Sequence, residues 1–137
     1  MIEGISHVTF FVKNLDKTTE LFERVFGVKE VYYSGDKKHS LFRERFFVIG
    51  NQWIAVMEDE NIVNRTYHHL AFKISDSDVD FYLGRIKELN LEIKPPRERI
   101  SGEGYSLYFY DYDNNLFELH TETLEKRLSI YKEIDKN

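Results

Sequence analysis

Two short stretches decide how this chain folds: Ile5-Ser6-His7-Val8-Thr9-Phe10 and, 62 residues later, Tyr67-His68-His69-Leu70-Ala71-Phe72. Each reads as a strand with a histidine in third place, and each precedes an amphipathic segment. Similarity at a fixed offset is the signature of a repeated module. The first amphipathic segment starts near Asp16, carries Leu21, Phe22, Val25 and Phe26 on one stripe and stops at Gly27. The second starts at Ser75 as N-cap with Asp78 three residues on, then sets Val79, Leu83, Ile86 and Leu89 at helical spacing. Strand-like runs follow each helix, near 30–34, 40–49 and 52–58, then near 91–95, 105–110 and 115–120. The expectation is therefore an α+β fold in one domain over 1–137. It consists of two tandem β-α-β-β-β modules, about 2–60 and about 65–121, forming a cupped mixed sheet. A third helix over about 122–134 closes the chain.

The composition narrows the function classes. The 137 residues are 42% hydrophobic and 31% charged, the balance of a globular chain and not of a disordered one. With no cysteine there is no disulfide, zinc-thiolate site, iron–sulfur cluster or thiol nucleophile. A net charge of -5 argues against a nucleic-acid partner, whose footprint is basic. No apolar run reaches the roughly 20 residues of a membrane span. Met1–His7 lacks the basic-then-apolar pattern of a signal peptide, so a cytoplasmic location is expected. The 11 Phe and 9 Tyr suggest an aromatic-lined cavity or a tight interface as well as a core.

Side chains alternate faces along a strand, which sorts each run into two sets. Val8, Phe10 and Val12 form one apolar face, opposite His7, Thr9 and Phe11. Leu70, Phe72 and Ile74 form another, opposite His69, Ala71 and Lys73. Leu107 and Phe109 oppose Ser106, Tyr108 and Tyr110; Phe117 and Leu119 oppose Leu116, Glu118 and His120. With the apolar faces under the helices, His7, Thr9, His69, Ser106, Tyr108 and Glu118 collect on the other surface. Two histidines and a carboxylate are a coherent donor set for a divalent metal with open positions. His7 and His69 hold matching places in the two modules, whereas Ala55 stands where the first module would match Glu118. Three protein ligands leave a side open, as catalysis needs. His68 is expected on the apolar face and His39 at a strand entrance, so neither is taken as a ligand. His120 shares the face of Glu118 and stays a candidate.

The paired modules with His7, His69 and Glu118 resemble the vicinal oxygen chelate superfamily. The runs Gly102-Glu103-Gly104-Tyr105-Ser106-Leu107-Tyr108-Phe109-Tyr110-Asp111 and Leu116-Phe117-Glu118-Leu119-His120, continuing to Leu124-Glu125-Lys126-Arg127-Leu128, resemble the fosfomycin-resistance enzymes within it. The resemblance runs from Ile2 to about Tyr131. The hydrolase branch of those enzymes carries a glutamate as general base at the place of Glu44, in Leu41-Phe42-Arg43-Glu44-Arg45-Phe46-Phe47. Alternation groups Glu44 with Phe42 and Phe46, a carboxylate among aromatics. Periodicity alone favours a solvated strand carboxylate between Arg43 and Arg45, and the resemblance reverses that reading.

The resemblance implies a Mn²⁺-dependent epoxide hydrolase, other divalent metals being alternatives. Its substrate is fosfomycin, and its metal ligands are His7, His69 and Glu118. The metal polarises the epoxide oxygen and Glu44 activates water, giving a vicinal diol. The resemblance assigns Thr9, Ser106, Tyr108 and Arg127 to the phosphonate and Trp53 to an aromatic pocket wall. Read without it, Arg127 is a helix salt-bridge partner and Trp53 a core residue. One of Lys94, Arg97 or Arg99 is expected to supply a further cation. The thiol-transferase branch has a potassium-binding serine-glutamate-glycine before the seventh strand; here Gly102 stands in place of the serine. The family also implies a homodimer with exchanged modules, each metal site shared between chains. No nucleic-acid or membrane partner is expected. The alternatives are a thiol transferase acting on fosfomycin, a metal-free drug-sequestering protein, and a superfamily enzyme with a different epoxide or carbonyl substrate.

Overall fold

The structure is a computed structural model that describes residues 1–37, 41–61, 64–96, 98 and 100–136. The strands hydrogen-bond as two four-stranded mixed sheets, and the elements follow the expected order. The first module is β1 (His7–Val12), α1 (Leu15–Leu21), β2 (Glu30–Tyr33), β3 (Glu44–Ile49) and β4 (Gln52–Glu58). The second is β5 (His69–Lys73), α2 (Val79–Glu88), β6 (Ile93–Lys94), β7 (Ser106–Tyr110) and β8 (Leu116–His120), followed by α3 (Leu124–Asp135). The sheets run β1-β4-β3-β2 and β5-β8-β7-β6, with the opening strand of each module parallel to its closing strand. The chain divides into two compact units, Met1–Arg65 with Asp111–Asn115, and Thr66–Tyr110 with Leu116–Asn137.

In the first unit the Asn14 side chain caps α1 by accepting from the Lys17 N–H. After Leu21 the helix widens into a π-helical turn over Phe22–Phe26, and Gly27, at a φ of 69°, ends it in the left-handed conformation. Leu21, Phe22 and Val25 are buried, as the stripe predicts, while Phe26 is half-buried. Phe22 packs edge-on against Phe47 of β3, ring centroids 4.8 Å apart. In the second unit a 3-10 turn over Asp76–Asp78 precedes α2. Ile86 is its one fully buried residue, Val79, Leu83 and Leu89 being half-buried. Phe109 and Phe117, both at most 1% exposed, stack 5.6 Å apart beneath it.

Three differences from the expected strands have physical causes. β6 is two residues long because Pro95 and Pro96 have no N–H to continue the ladder. β5 begins at His69: an N–H of His68 bonds the Thr66 hydroxyl at 3.1 Å in a turn, leaving His68 exposed and not on an apolar face. β3 begins at Glu44, after Leu41 and Phe42 bend away from the ladder. His39, Arg97 and Arg99 lie outside the described residues.

Burial follows the predicted alternation in β1 and β5, where Val8, Phe10, Val12, Leu70, Phe72 and Ile74 are the covered positions. It fails in β7 and β8, whose residues are buried on both faces apart from half-buried His120. These are inner strands, and the second face is closed by a cluster of Tyr108, Tyr110 and Leu116 at one end and by the hydrogen-bonded Ser106, Glu118 and His120 at the other. The neighbouring turn Ser101-Gly102-Glu103-Gly104 lets α3 come close. Gly102 and Gly104 have φ values of 92° and 85°, and a Cβ on Gly102 would stand 2.7 Å from Ile130 of α3. Glu103, fully buried, accepts from the Ile100 N–H at 2.7 Å and from the Tyr131 hydroxyl of α3.

Candidate functional site

The predicted residues fall into two groups, one in each unit. In the first unit, one face of the sheet carries His7, Thr9 and Phe11 of β1. Their cross-strand partners on β4 are Trp53, Ala55 and Met57, which in turn face Val48, Phe46 and Glu44 of β3. This face is a run of rings: His7 lies 4.3 Å from Trp53, Trp53 5.1 Å from Phe46, and Phe46 4.9 Å from Tyr32. Trp53 is 37% exposed and so is not a core residue.

Glu44 is 6% exposed, so it is not a solvated strand carboxylate. Its backbone N–H bonds the Ser34 hydroxyl at 3.0 Å and its carbonyl accepts from the Ser34 N–H at 3.1 Å, fixing the strand there. The flanking arginines are engaged elsewhere. Arg43 pairs with Glu58. Arg45 pairs with Asp16 at 2.8 Å and Glu30 at 3.1 Å and lies over the Tyr33 ring at 4.3 Å. Alternation explains this: Arg43 and Arg45 project from the opposite face of β3.

In the second unit His69 and Glu118 converge, with Nε2 and Oε1 3.1 Å apart. His69 Nδ1 lies 2.7 Å from the Tyr67 carbonyl, which can only accept, so Nδ1 carries the proton in this bond. Nε2 and the carboxylate oxygen therefore face each other at a separation that either a proton on Nε2 or a cation held by both would satisfy. With Nε2 deprotonated, an imidazole nitrogen and a buried carboxylate side by side are donors that fit a divalent cation, and the carbonyl behind the imidazole is the customary support of a metal-ligating histidine. Among the described residues no three His, Cys, Asp or Glu gather into a complete metal-binding group. His7, the third expected ligand, belongs to the first unit.

Behind Glu118 runs a chain of hydrogen bonds. The Ser106 hydroxyl donates to Glu118 Oε2 at 2.5 Å, His120 Nδ1 lies 2.7 Å from that hydroxyl, and Arg127 Nη2 lies 3.1 Å from His120 Nε2. The one proton of the Ser106 hydroxyl is thus directed to Glu118. An open cavity of about 310 Å³ is bordered by His69, Glu118, His120, Glu122, Leu124 and Arg127. Tyr108 stands beside Glu118 across the β7–β8 ladder, takes the Tyr67 hydroxyl proton at 3.3 Å, and has Lys94 as its neighbour on β6. Lys94 Nζ sits over the Tyr67 ring at 5.7 Å.

Residues 4–119 match the family described as the Glyoxalase/Bleomycin resistance protein/Dioxygenase superfamily. Fosfomycin resistance protein FosX of Listeria innocua is 54% identical over 131 residues, covering 96% of this chain and 98% of that protein. The chain belongs to the FosX fosfomycin resistance proteins. Metallothiol transferase FosB of Staphylococcus epidermidis is 36% identical, covering 97% and 94% of the two chains. Among solved structures, a mutant of FosX from Listeria monocytogenes, complexed with Mn(II) and 1S,2S-dihydroxypropylphosphonic acid, superposes with a TM-score of 0.88 at 53% identity. It covers 94% of this chain and 99% of its own.

Sequence reasoning missed three features of this FosX-family site. The Tyr67 carbonyl behind His69 and the Ser34 clamp on Glu44 are set by turns, which leave no pattern of side-chain types. His120 was legible as a neighbour of Glu118 at a spacing of two, but its link to Arg127 depends on where α3 packs.

Proposed function

We infer that this chain hydrolyses the epoxide of fosfomycin to a vicinal diol in a Mn²⁺-dependent reaction, conferring resistance to the antibiotic. The observation that carries the reading is its likeness to a FosX held with Mn(II) and a dihydroxypropylphosphonate. That ligand is what water makes of an epoxypropylphosphonate. The higher identity to FosX than to the thiol transferase FosB favours water over a thiol as nucleophile.

His69 and Glu118 would hold the metal from the second unit, with His7 as third ligand. When bound, Mn²⁺ supplies the Lewis acidity that takes up negative charge on the epoxide oxygen as the ring opens. Glu44 is the general base. As the water oxygen bonds to the carbon bearing phosphorus, that carbon's bond to the epoxide oxygen breaks. The water proton passes to the Glu44 carboxylate, and the opened oxygen takes a proton to become the second hydroxyl. The burial of Glu44, on the sheet face that also carries Phe46, supports this role because it limits the access of bulk water to the carboxylate. Thr9, Tyr108 and Arg127 orient the phosphonate, and Trp53 walls the pocket. Ser106 acts on Glu118.

The working form we propose is a homodimer with exchanged modules, in which His7 of one chain completes the site of the other. This is supported by the division of ligands: two converge in one unit, the third stands on the open aromatic face of the other. The metal-free sequestering alternative leaves the convergence of His69 and Glu118 without a purpose. The test is phosphorus NMR of the protein with fosfomycin and Mn²⁺, with and without thiol, beside Glu44→Gln. Diol without thiol, lost in the variant, establishes the hydrolase. Product that requires thiol, or full activity in Glu44→Gln, refutes it.

A further inference from the structure

We propose that His120 is a positioning residue that ties the carboxylate of Glu118 to the guanidinium of Arg127. Its two ring nitrogens set the carboxylate and the cation separately, and the inference rests on the hydrolase reading of the site. His120 is the last residue of β8, on the face of Glu118, and its side chain is 12% exposed. A guanidinium has donors only, so the 3.1 Å contact from Arg127 Nη2 makes His120 Nε2 the acceptor. The ring proton therefore sits on Nδ1 and is given to the Ser106 oxygen at 2.7 Å. Ser106 has one proton to give, and it goes to Glu118 Oε2 at 2.5 Å. The bonds run from Arg127 to His120 to Ser106 to Glu118, and His120 Nδ1 also lies 3.5 Å from Glu118 Oε2.

Consequences follow for both ends. The Oε2 side of Glu118 is held by Ser106, which turns Oε1 toward His69 at 3.1 Å. Arg127, on α3, is drawn to the wall of the same cavity by the Nε2 lone pair. An imidazole is suited to this because its donor and acceptor lie on opposite sides of one rigid ring. An asparagine can reproduce the donor toward Ser106, and a glutamine the acceptor toward Arg127, but neither does both. Partners of this kind behind a metal ligand are typically worth about 10- to 100-fold in metal affinity or activity.

The experiment uses the full chain and the variants His120→Asn, His120→Gln and His120→Phe. Mn(II) binding is read by electron paramagnetic resonance without substrate, and KM and kcat for thiol-free diol formation are read at saturating Mn(II). His120→Phe should weaken Mn(II) binding about 10-fold and raise KM for fosfomycin about 10-fold. His120→Asn should keep Mn(II) affinity within about threefold of the parent while KM rises about 10-fold, and His120→Gln should do the reverse. A residue that merely ties α3 to the sheet would move both quantities together, in step with the unfolding midpoint. That outcome, or three variants indistinguishable from the parent, overturns the proposal while diol formation by the parent leaves the hydrolase reading standing. A parent that neither binds Mn(II) nor forms diol overturns both.

Discussion

Asp111 offers a test of the structure through pH. Its carboxyl is 8% exposed, and burial pushes it up from an ordinary 3.8 to about 6, against hydrogen bonds from the Asn115 amide and the Asp113 and Asn115 N–H groups that pull it down. A carboxyl that holds its proton more tightly when folded favours the folded state at low pH. This contribution is fully present below 3.8 and is lost as pH rises through about 6. At roughly 1.4 kcal/mol per pH unit, the whole gap is worth about 3 kcal/mol, of which about 2 kcal/mol falls between pH 4 and 7. Asp111→Asn keeps one acceptor for the two backbone N–H groups but sets an amide against the Asn115 amide. That cost does not vary with pH. Urea unfolding of the parent and the variant at half-unit steps from pH 4 to 7, with matched m-values, isolates the effect. Relative to the variant, the parent should lose about 2 kcal/mol of stability as pH rises across that range. A difference that is flat in pH, or that grows in the parent's favour, would refute the reasoning.

Three further outcomes are expected. Arg45→Ala should cost about 2 kcal/mol in chemical denaturation. Most of this comes from the contacts to Thr19 (2.5 Å), the Leu15 carbonyl (3.3 Å) and Tyr33, because Asp16 is 87% exposed and its ion pair is screened. Tyr131→Phe removes a donor from the fully buried Glu103 carboxylate and should cost roughly 1.5–3 kcal/mol, seen as a lower thermal midpoint. Mn(II) at one hundred times its dissociation constant should stabilise the protein by about 2.7 kcal/mol, reversed by chelator. Glu118→Gln should abolish that gain, and an unchanged gain would remove Glu118 from the ligand set.

The fold was legible because its signals are local. The matched strands around His7 and His69 and the stripe Leu21–Phe22–Val25 recur at periods that only one kind of element satisfies. The expected run over 91–95 was carried one residue too far, since Pro95 and Pro96 stop β6 at Lys94. Alternation was enough to put Thr9 beside His7 and to place Glu44 with Phe46, while sending Arg43 and Arg45 to the other face. It misjudged β7 and β8, since period-two burial assumes one wet face and these inner strands have none. It also carried His68 onto a strand that a Thr66 turn delays by two residues, from Tyr67 to His69.

What the chain encodes by itself is therefore the list of chemical groups and the strand face each one occupies, because the 180° alternation of a strand needs no knowledge of its neighbours. What only the tertiary structure decided is which of those groups are spent on one another. His120 faces the same way as Glu118 by its spacing alone, but Ser106 does so only in the register that the β7–β8 ladder sets, and whether its hydroxyl proton goes to a substrate or to a carboxylate depends on a separation of 2.5 Å fixed by that ladder. The hold of His120 on Arg127 depends on the packing of α3 against a glycine-bearing turn, a contact between segments far apart in sequence. Hydrogen bonds are decided by tenths of an ångström and by donor direction, and those are fixed only when the strands and helices are in place.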